Sequence, residues 1–209
     1  MNGNRGTPYA DVELKTTYDY NPERANQRLD EAGWVMNEST GIREKDGEPL
    51  NLLLTLESDY SATSMPTAEV IKSQLAEVGI DVTIYGTEQM QWYADYLEGK
   101  FDLTLWHSQF AFASPHCWFT PMDSMVPQTP SLPGIEGSDE FLATIKNLTN
   151  MVDEQEVRDT YTYLFNFDIG TALDIPLTYQ KDMIVYNTDK ISGYTFTGTP
   201  YFFDILSLE

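Results

Sequence analysis

The feature that most constrains the fold is a regular alternation of apolar patterns over residues 50–106. A near-continuous apolar run opens it and has the length of a strand buried on both faces. Two shorter stretches alternate apolar and polar side chains as strands do, and two others repeat apolar residues at helical spacings. In chain order these five stretches are residues 50–56, 68–79, 80–84, 88–97 and 101–105. Strand, helix, strand, helix and strand in this order predict an α/β layer with parallel pairing.

Helices are also predicted on both sides of this block. Asn21 and Pro22 are typical of an N-cap and a first helical residue, and Gly33 suits the left-handed end of that helix. Between this helix and the block, residues 38–48 are polar and rich in turn-forming residues.

Two further helices and one strand are predicted after the block. Ser138 and Asp153 are expected to cap the two helices. Residues 175–186 have the apolar character of a strand. The side chains expected on the buried helix faces are Met90, Tyr93, Leu97, Phe141, Ile145, Leu148, Val152, Val157, Tyr161 and Leu164.

Residues 106–137 break the pattern of regular elements. Five prolines in this stretch exclude a long helix or a central strand. The two histidines and the single cysteine of the chain, His107, His116 and Cys117, lie here among aromatic side chains. Since long ordered loops within compact domains usually carry function, we expect the functional residues in this stretch.

The charge of the chain excludes some classes of ligand. It has 12 Lys and Arg against 33 Asp and Glu, a net charge of −21. A field of this sign repels phosphate backbones and anionic lipids, so we expect neither nucleic acid nor a membrane surface as ligand. Cations, cationic peptides and metal complexes are compatible with it, although an acidic surface also serves solubility alone. No apolar run reaches the roughly 18 residues of a membrane span, and residues 1–17 lack the apolar core of a signal peptide.

Four segments carry a resemblance to a known family. Residues 21–34 (NPERANQRLDEAGW), 46–50, 68–82 and 153–179 resemble, in order and spacing, segments of the peptide- and nickel-binding proteins of bacterial and archaeal ABC importers. These are extracellular solute-binding proteins of family 5. The resemblance covers about residues 21–205, nearly the whole chain.

This resemblance implies an α/β fold of the periplasmic-binding-protein type (type II, peptide/nickel cluster), with a layered sheet flanked by helices. It implies a fragment of a two-lobed protein, whose lobes close over a solute. Residues 21–199 would form the C-terminal lobe, after an N-terminal segment at residues 1–20. Residues 200–209 would return toward the first lobe, and the last two residues are interpreted as the scar of a tag.

The resemblance further implies a function. We expect the substrate-binding component of an ABC importer, which captures nickel as a chelate, or short peptides, outside the membrane and delivers them to permease subunits. No resident cofactor and no catalysis are expected. The location would be periplasmic or extracellular, at the outer face of the membrane, as a lipoprotein if a lipid anchor precedes the chain.

The solute-binding residues are predicted in the loop after the third strand. Those expected there to contact the solute are Trp106, Gln109, Phe110 and Trp118. Tyr179, which belongs to the late strand region, is expected to approach the solute as well. Peptide-binding relatives carry an aspartate near position 109 that pairs with the ammonium group of the peptide. Gln109 is neutral and cannot supply that charge, whereas residues 114–116 resemble the Asp-Pro-His of nickel-binding relatives.

His116 and His107 are therefore predicted as metal ligands, because Ni(II) favours imidazole nitrogen. A chelator would fill the other coordination positions. The alternative is that both are polar loop residues, as the nickel-binding relatives place their metal-contacting histidine further along, where this chain has none. A peptide-binding protein without a metal role is the second interpretation. A hydrolase with a Cys117 and histidine pair is the third, although adjacent side chains on an extended chain point apart.

Overall fold

The computed structural model describes most of the chain. The described residues are 9, 11–107, 115–123, 130–178, 183–195, 205 and 208. They form an N-terminal α/β layer and a C-terminal helical layer, each with its own buried apolar cluster.

The chain enters the α/β layer through a capped helix. This helix, α1 (Pro22–Glu31), begins as predicted: the Asn21 side chain accepts a hydrogen bond from the Arg24 backbone N–H at 2.9 Å, and Pro22 is its first residue. Gly33 follows it in the left-handed region, at φ 86°.

A small antiparallel sheet comes next and was not predicted. Its strands are β1 (Val35–Asn37), β2 (Ile42–Lys45) and β3 (Glu48–Pro49), in the order β1-β2-β3. Residues 38–48, predicted only to be polar and rich in turns, contain strand β2 with a turn on each side of it. Asp46 and Gly47, both at positive φ, make the tight turn between β2 and β3.

A parallel sheet follows, and its order of elements is the predicted one. It contains β4 (Asn51–Glu57), helix α2 (Ser64–Ala76), β5 (Asp81–Thr87), helix α3 (Gln89–Leu97) and β6 (Leu103–Leu105). β4 pairs in parallel with both others, which gives the order β5-β4-β6. Leu54, Thr55 and Leu56 of the central strand are all buried, so the prediction of a strand buried on both faces is confirmed.

Helix α3 turns a different face inward from the one predicted. Met90 is 75% exposed, whereas Trp92, Asp95 and Tyr96 are buried. The Trp92 indole N–H donates to Thr104 Oγ of β6 at 3.2 Å, which fixes this face on the sheet. Trp92 and Tyr96, one helical turn apart, also cover more apolar area than Met90 would.

The helical layer begins with a short helix in the proline-rich region. The elements are α4 (His116–Phe119), a 3-10 turn at Thr120–Asp123, a second at Leu132–Gly134, and the helices α5 (Ser138–Leu148) and α6 (Glu154–Gly170). Its buried cluster is formed by Val12, Phe119, Met122, Leu132, Phe141, Ile145, Leu148, Tyr161, Leu164 and Phe165. The predicted apolar face of α5 is confirmed for Phe141, Ile145 and Leu148, but Val152 lies beyond the helix end and is 98% exposed.

The two predicted caps of these helices differ in outcome. Asp153 accepts a hydrogen bond from the Glu156 backbone N–H at 2.9 Å and caps α6, as expected. Ser138 does not cap α5: it is the first helical residue, and Gly137 precedes it as N-cap at φ 87°. A residue without a side chain fits here because the left-handed backbone favours glycine.

The strand predicted at residues 175–186 is absent from the described residues of that range, 175–178 and 183–186. Their backbone is irregular, and Ile175, Leu177, Met183 and Val185 are exposed. An apolar run becomes a strand only beside another strand, and no strand pairs with it among the described residues. Among all the described residues of the chain, no helix is long and apolar enough to cross a membrane.

Several hydrogen bonds join the N-terminal segment to α6. Asn166 accepts a hydrogen bond from the Lys15 backbone N–H at 2.7 Å and donates to the Glu13 carbonyl at 2.9 Å. Tyr18 then donates to the Ile169 carbonyl at 2.7 Å. The predicted domain boundaries at residues 20 and 199 stay predictions.

Ala172 offers a direct test of the turn that ends α6. It lies in the left-handed region at φ 56°, where a Cβ is costly. We expect Ala172→Gly to raise the free energy of unfolding by about 1 kcal/mol, measured by urea denaturation. The matched control is Ala94→Gly in the middle of α3, which should lower it by about 1 kcal/mol. A loss of stability in Ala172→Gly would contradict this turn geometry.

Candidate functional site at the carboxyl edge of the parallel sheet

The three parallel strands end at one edge of their sheet, and the predicted site residues Trp106 and His107 follow β6 there. Tyr60 follows β4 at the same edge, and Ser64 begins α2. In open α/β sheets, ligands bind outside the carboxyl ends of the strands. The sequence therefore places its first candidate residues where this class of fold binds ligands.

His107 is held in place from two sides. Its ring stacks on Tyr60 with 4.1 Å between ring centroids and 20° between planes. Its Nε2 lies 3.2 Å from the Oγ of Ser64, whose side chain is buried. Burial lowers the pKa of His107 below its usual range, so the imidazole is neutral at pH 7.

Trp106 presents an exposed face on a rigid aromatic base. Its side chain is 42% exposed, and its ring centroid lies 4.9 Å from that of Trp92 and 4.8 Å from that of Tyr96. Phe101 stacks beneath Tyr96 at 5.4 Å. Because Trp92 and Tyr96 are buried, Trp106 is supported from behind while one side remains open to a ligand.

Other exposed apolar side chains surround the same edge. Met65 lies in the first turn of α2, Tyr85 lies near the end of β5, and Met90 lies in the first turn of α3. Thioether and aromatic groups adapt to the shapes of different ligands. Together with Tyr60, Trp106 and His107 they form what we call the sheet-edge surface.

His116, Cys117 and Trp118 lie on α4, in the helical layer. Trp118 packs on the buried cluster beside Phe119, and its indole N–H donates to Asp168 Oδ2 at 3.3 Å. Cys117 is exposed. The structure therefore assigns His107 and His116 to different elements. Within the described ranges no three His, Cys, Asp or Glu side chains come together to hold a metal ion.

Three predicted ligand contacts, Gln109, Phe110 and Tyr179, lie outside the described residues. Their roles stay predictions, as do those of Trp106, Trp118, His107 and His116. Sequence reasoning missed Tyr60 and Ser64, which fix the His107 ring. The signal that could have found them is their place directly after the first parallel strand.

With the geometry established, the comparisons define the class of protein. Residues 4–129, more than half of the chain, match the family described as bacterial extracellular solute-binding proteins, family 5 Middle. The chain belongs to this family, which confirms the predicted family and fold class.

Individual proteins that resemble the chain bind metals or peptides according to their names. The nickel-binding periplasmic protein of Escherichia coli K12 is 28% identical over 181 residues, 85% of this chain and 34% of that protein. NikA from Brucella suis, in its crystal structure with Fe(III)-EDTA, is 30% identical in sequence. Its fold matches with a TM-score of 0.71, and the match covers 79% of this chain and 33% of the NikA chain. The oligopeptide-binding protein OppA of Lactococcus lactis IL1403 is 38% identical over 69 residues, 33% of this chain and 11% of that protein. The chain thus spans about a third of the length of the first two.

Proposed function

We propose that this chain is part of the substrate-binding component of an ABC importer and that its solute is a metal chelate, with nickel as the metal. The observation that carries the proposal is the neutral imidazole of His107, which Tyr60 and Ser64 hold in one orientation at the carboxyl edge of the parallel sheet. It is supported by two relatives, one that binds nickel and one that was crystallised with an iron chelate.

His107 has the properties of a metal ligand. A histidine binds a metal ion through an unprotonated ring nitrogen, and burial keeps this ring neutral at pH 7. In the tautomer that suits ligation, Nε2–H donates to Ser64 Oγ and Nδ1 carries the free lone pair. Metal-binding histidines are in general oriented by a hydrogen bond of this kind, made by the ring nitrogen that does not bind the metal.

A chelate suits the sheet-edge surface better than a bare ion does. His107 offers one nitrogen, and the described residues bring no set of three ligating side chains together. A chelator would supply the remaining ligand atoms, and Trp106, which follows the same strand, is proposed to contact its carbon skeleton. His116, from its separate element, is proposed as a second metal contact.

Peptide binding is the second candidate, because a 69-residue segment is 38% identical to an oligopeptide-binding protein. In that case Gln109, Phe110, Trp118 and Tyr179 are proposed to contact the peptide backbone. The neutral Gln109 leaves the peptide's ammonium group to be paired by another residue.

We propose binding without catalysis. Cys117 and His116 are neighbours on α4, where successive side chains diverge by about 100° around the helix axis. That arrangement does not bring a thiol and its base together. Slow labelling of Cys117 by a thiol reagent, at the rate of a free cysteine, is the result expected; rapid labelling would favour the hydrolase interpretation.

The proposed cycle takes place outside the cytoplasmic membrane. The sheet-edge surface forms half of a cleft, a second lobe closes on the bound solute, and the closed form docks on permease subunits. A lipid anchor upstream of the chain is proposed to keep the protein at the outer face of the membrane.

Calorimetric titration of the two-lobed protein with Ni(II) plus free histidine, and separately with a tripeptide mixture, tests the proposal. We expect a heat of binding when the nickel and histidine mixture is added to the wild type, and no heat of binding when it is added to His107→Ala. We expect about 10- to 100-fold weaker binding in Ser64→Ala, the loss typical of removing a partner that orients a ligand. His116→Ala reports whether the second histidine contributes.

One result would decide against the chelate, and another would decide against His107 as its ligand. Heat with tripeptides alone would establish the peptide alternative and make both histidines structural. Unchanged nickel affinity in His107→Ala would remove His107 from the metal contacts, and a loss confined to His116→Ala would move the ligand to α4.

A further inference from the structure

The turn after α6 brings two carboxyl groups together. It is closed by the hydrogen bonds Ala172 N–H to Ile169 O and Leu173 N–H to Asp168 O, both 3.1 Å, with Ala172 left-handed. This pattern reverses the chain at a helix end. Asp174, the next residue, thereby comes back beside the side chain of Asp168 in the last turn of the helix.

Asp168 lies in an environment that does not suit an ionised carboxylate. Its side chain is only 2% exposed. Oδ2 accepts the hydrogen bond from the Trp118 indole at 3.3 Å, whereas Oδ1 is buried without a donor among the described residues. No Lys or Arg is among the groups that act on it. An isolated buried carboxylate is costly, and a second carboxylate beside it adds repulsion.

A single proton resolves both problems. If Oδ1 carries it, the orphaned atom becomes a donor to the Asp174 carboxylate and the repulsion between the two groups disappears. Burial first, and then the charge of Asp174, raise the pKa of Asp168 well above its usual range. Burial also raises the pKa of Asp174, and the hydrogen bond from Asp168 lowers it.

We propose that Asp168 is a neutral carboxylic acid in the folded protein at pH 7 and that the chain Trp118, Asp168 and Asp174 is a pH-sensitive latch. It joins α4, α6 and the segment at residues 171–178. In the protonated form each link has a donor and an acceptor. Removal of the proton leaves two carboxylates together in a buried site and opens the latch between Asp168 and Asp174.

The groups that face Asp168 come from each neighbouring element. Trp118 of α4 is a neutral donor, and Asp174 of residues 171–178 is the charged group that acts on it. The N-terminal segment contributes Tyr18, whose hydroxyl donates to the Ile169 carbonyl at 2.7 Å and so lies against the last turn of α6. Among these groups, Asp174 is the one whose charge adds to burial in raising the pKa of Asp168.

The sign of the pH dependence follows from the raised pKa. An unfolded aspartate releases its proton near pH 4, whereas folded Asp168 retains it. The folded state thus binds more protons, so this pair's contribution to stability is fully present below about pH 4 and is lost as pH rises through the folded pKa. Exposed acids such as Asp11, whose pKa is lowered chiefly by the Arg158 hydrogen bond, act in the opposite direction.

Infrared spectroscopy of the chain labelled with ¹³C at the aspartate carboxyls tests the proposal. A protonated-carboxyl C=O band is expected at pH 7 in the wild type and absent in Asp168→Asn, which keeps an acceptor for Trp118 and a donor to Asp174. The matched control is Asp159→Asn, an exposed site on the same helix, in which the band should remain. In Asp174→Asn the band should disappear at a lower pH than in the wild type.

Urea unfolding provides the second measurement. The unfolding midpoint of Asp168→Asn, relative to wild type, should rise as the pH increases above about 4 and level off above the folded pKa of Asp168. No protonated-carboxyl band at pH 7 in the wild type would overturn the proposal without any variant. So would a midpoint difference that is flat with pH, or a band that survives in Asp168→Asn. If Asp168→Asn does not fold, the proposal is tested by the wild-type band at pH 7 and by the lower pH at which the band disappears in Asp174→Asn.

Discussion

Replacing Phe119 with alanine is expected to lower the free energy of unfolding by about 3–5 kcal/mol, the usual cost of emptying a buried phenylalanine site. Phe119 is fully buried at the end of α4. Its ring lies 5.1 Å from that of Phe165 and 6.0 Å, edge-on, from that of Phe141. The space left cannot collapse easily, because these partners belong to the two long helices α5 and α6.

The short helix α4 magnifies this effect. Four residues cannot hold a helix by themselves, so α4 depends on the packing of Phe119 for its position. His116 and Trp118 are on the same turn. We therefore expect Phe119→Ala to disorder both of them, as well as to destabilise the helical layer.

Urea denaturation followed by circular dichroism measures the stability change. Phe119→Leu is the control that keeps most of the volume and should lose less than about 1.5 kcal/mol. Tyr85→Ala, at an exposed strand position, should change stability by about 0.5 kcal/mol or less. A loss below about 1 kcal/mol in Phe119→Ala would show that α4 is not anchored by its ring.

The elements that sequence patterns predicted well are those buried on a regular period. Central strand β4 is marked by its continuous apolar run, and α2 and β5 are marked by their own spacings. Each pattern is imposed by burial in one layer, so a local window of sequence contains it. The end of α2 differs by two or three residues, since Gly79 belongs to the turn after the helix.

The elements that were missed have no such period. β1, β2 and β3 are two to four residues long, and both strands of the β2–β3 hairpin carry charged side chains into solvent. Only the Asp46–Gly47 turn signals them. The strand predicted at residues 175–186 is wrong for the opposite reason: the apolar pattern is present, but no described strand pairs with these residues.

The candidate site could be predicted only in part. Trp106 and His107 follow a predicted strand, so their place at the sheet edge follows from topology. The hydrogen bond between His107 and Ser64 joins residues 43 positions apart, and the link from Trp118 to Asp168 joins residues 50 apart. No local pattern contains such pairs, since they depend on how the elements pack.

Arg43 gives the second large expected effect, although nothing in its sequence context marks it. It is 3% exposed on β2. Its guanidinium donates to the Val78 carbonyl at 2.8 Å, to the Trp34 carbonyl at 2.6 Å, and to the side chains of Asn26 and Asp30 at 2.8 and 2.6 Å. One side chain thus joins α1, the small antiparallel sheet and the turn after α2.

Arg43→Ala should therefore lower the free energy of unfolding by about 2–4 kcal/mol, because buried carbonyls lose their donors and the side-chain stem no longer packs. The ion pair with Asp30 adds little, since the Asp30 side chain is 67% exposed.

Gly79 gives an independent measure of the same packing. A Cβ there would lie 2.9 Å from Arg43 Cγ and 2.7 Å from Met36 Cε, and φ is 81°. Gly79→Ala should destabilise wild type more than it destabilises Arg43→Ala.

Chemical denaturation of the two single variants and the double variant measures both effects. Arg28→Ala is the matched control, since its side chain is 70% exposed and pairs with Glu31 only at 3.9 Å; it should change stability by about 0.5 kcal/mol or less. Arg43→Lys keeps the charge but not the planar fork that reaches several acceptors, so it should recover only part of the loss. Equal losses in Arg43→Ala and Arg28→Ala would show that the guanidinium network does not hold the three elements together. Strict additivity of Arg43→Ala and Gly79→Ala would show that the two sites do not share one packed contact.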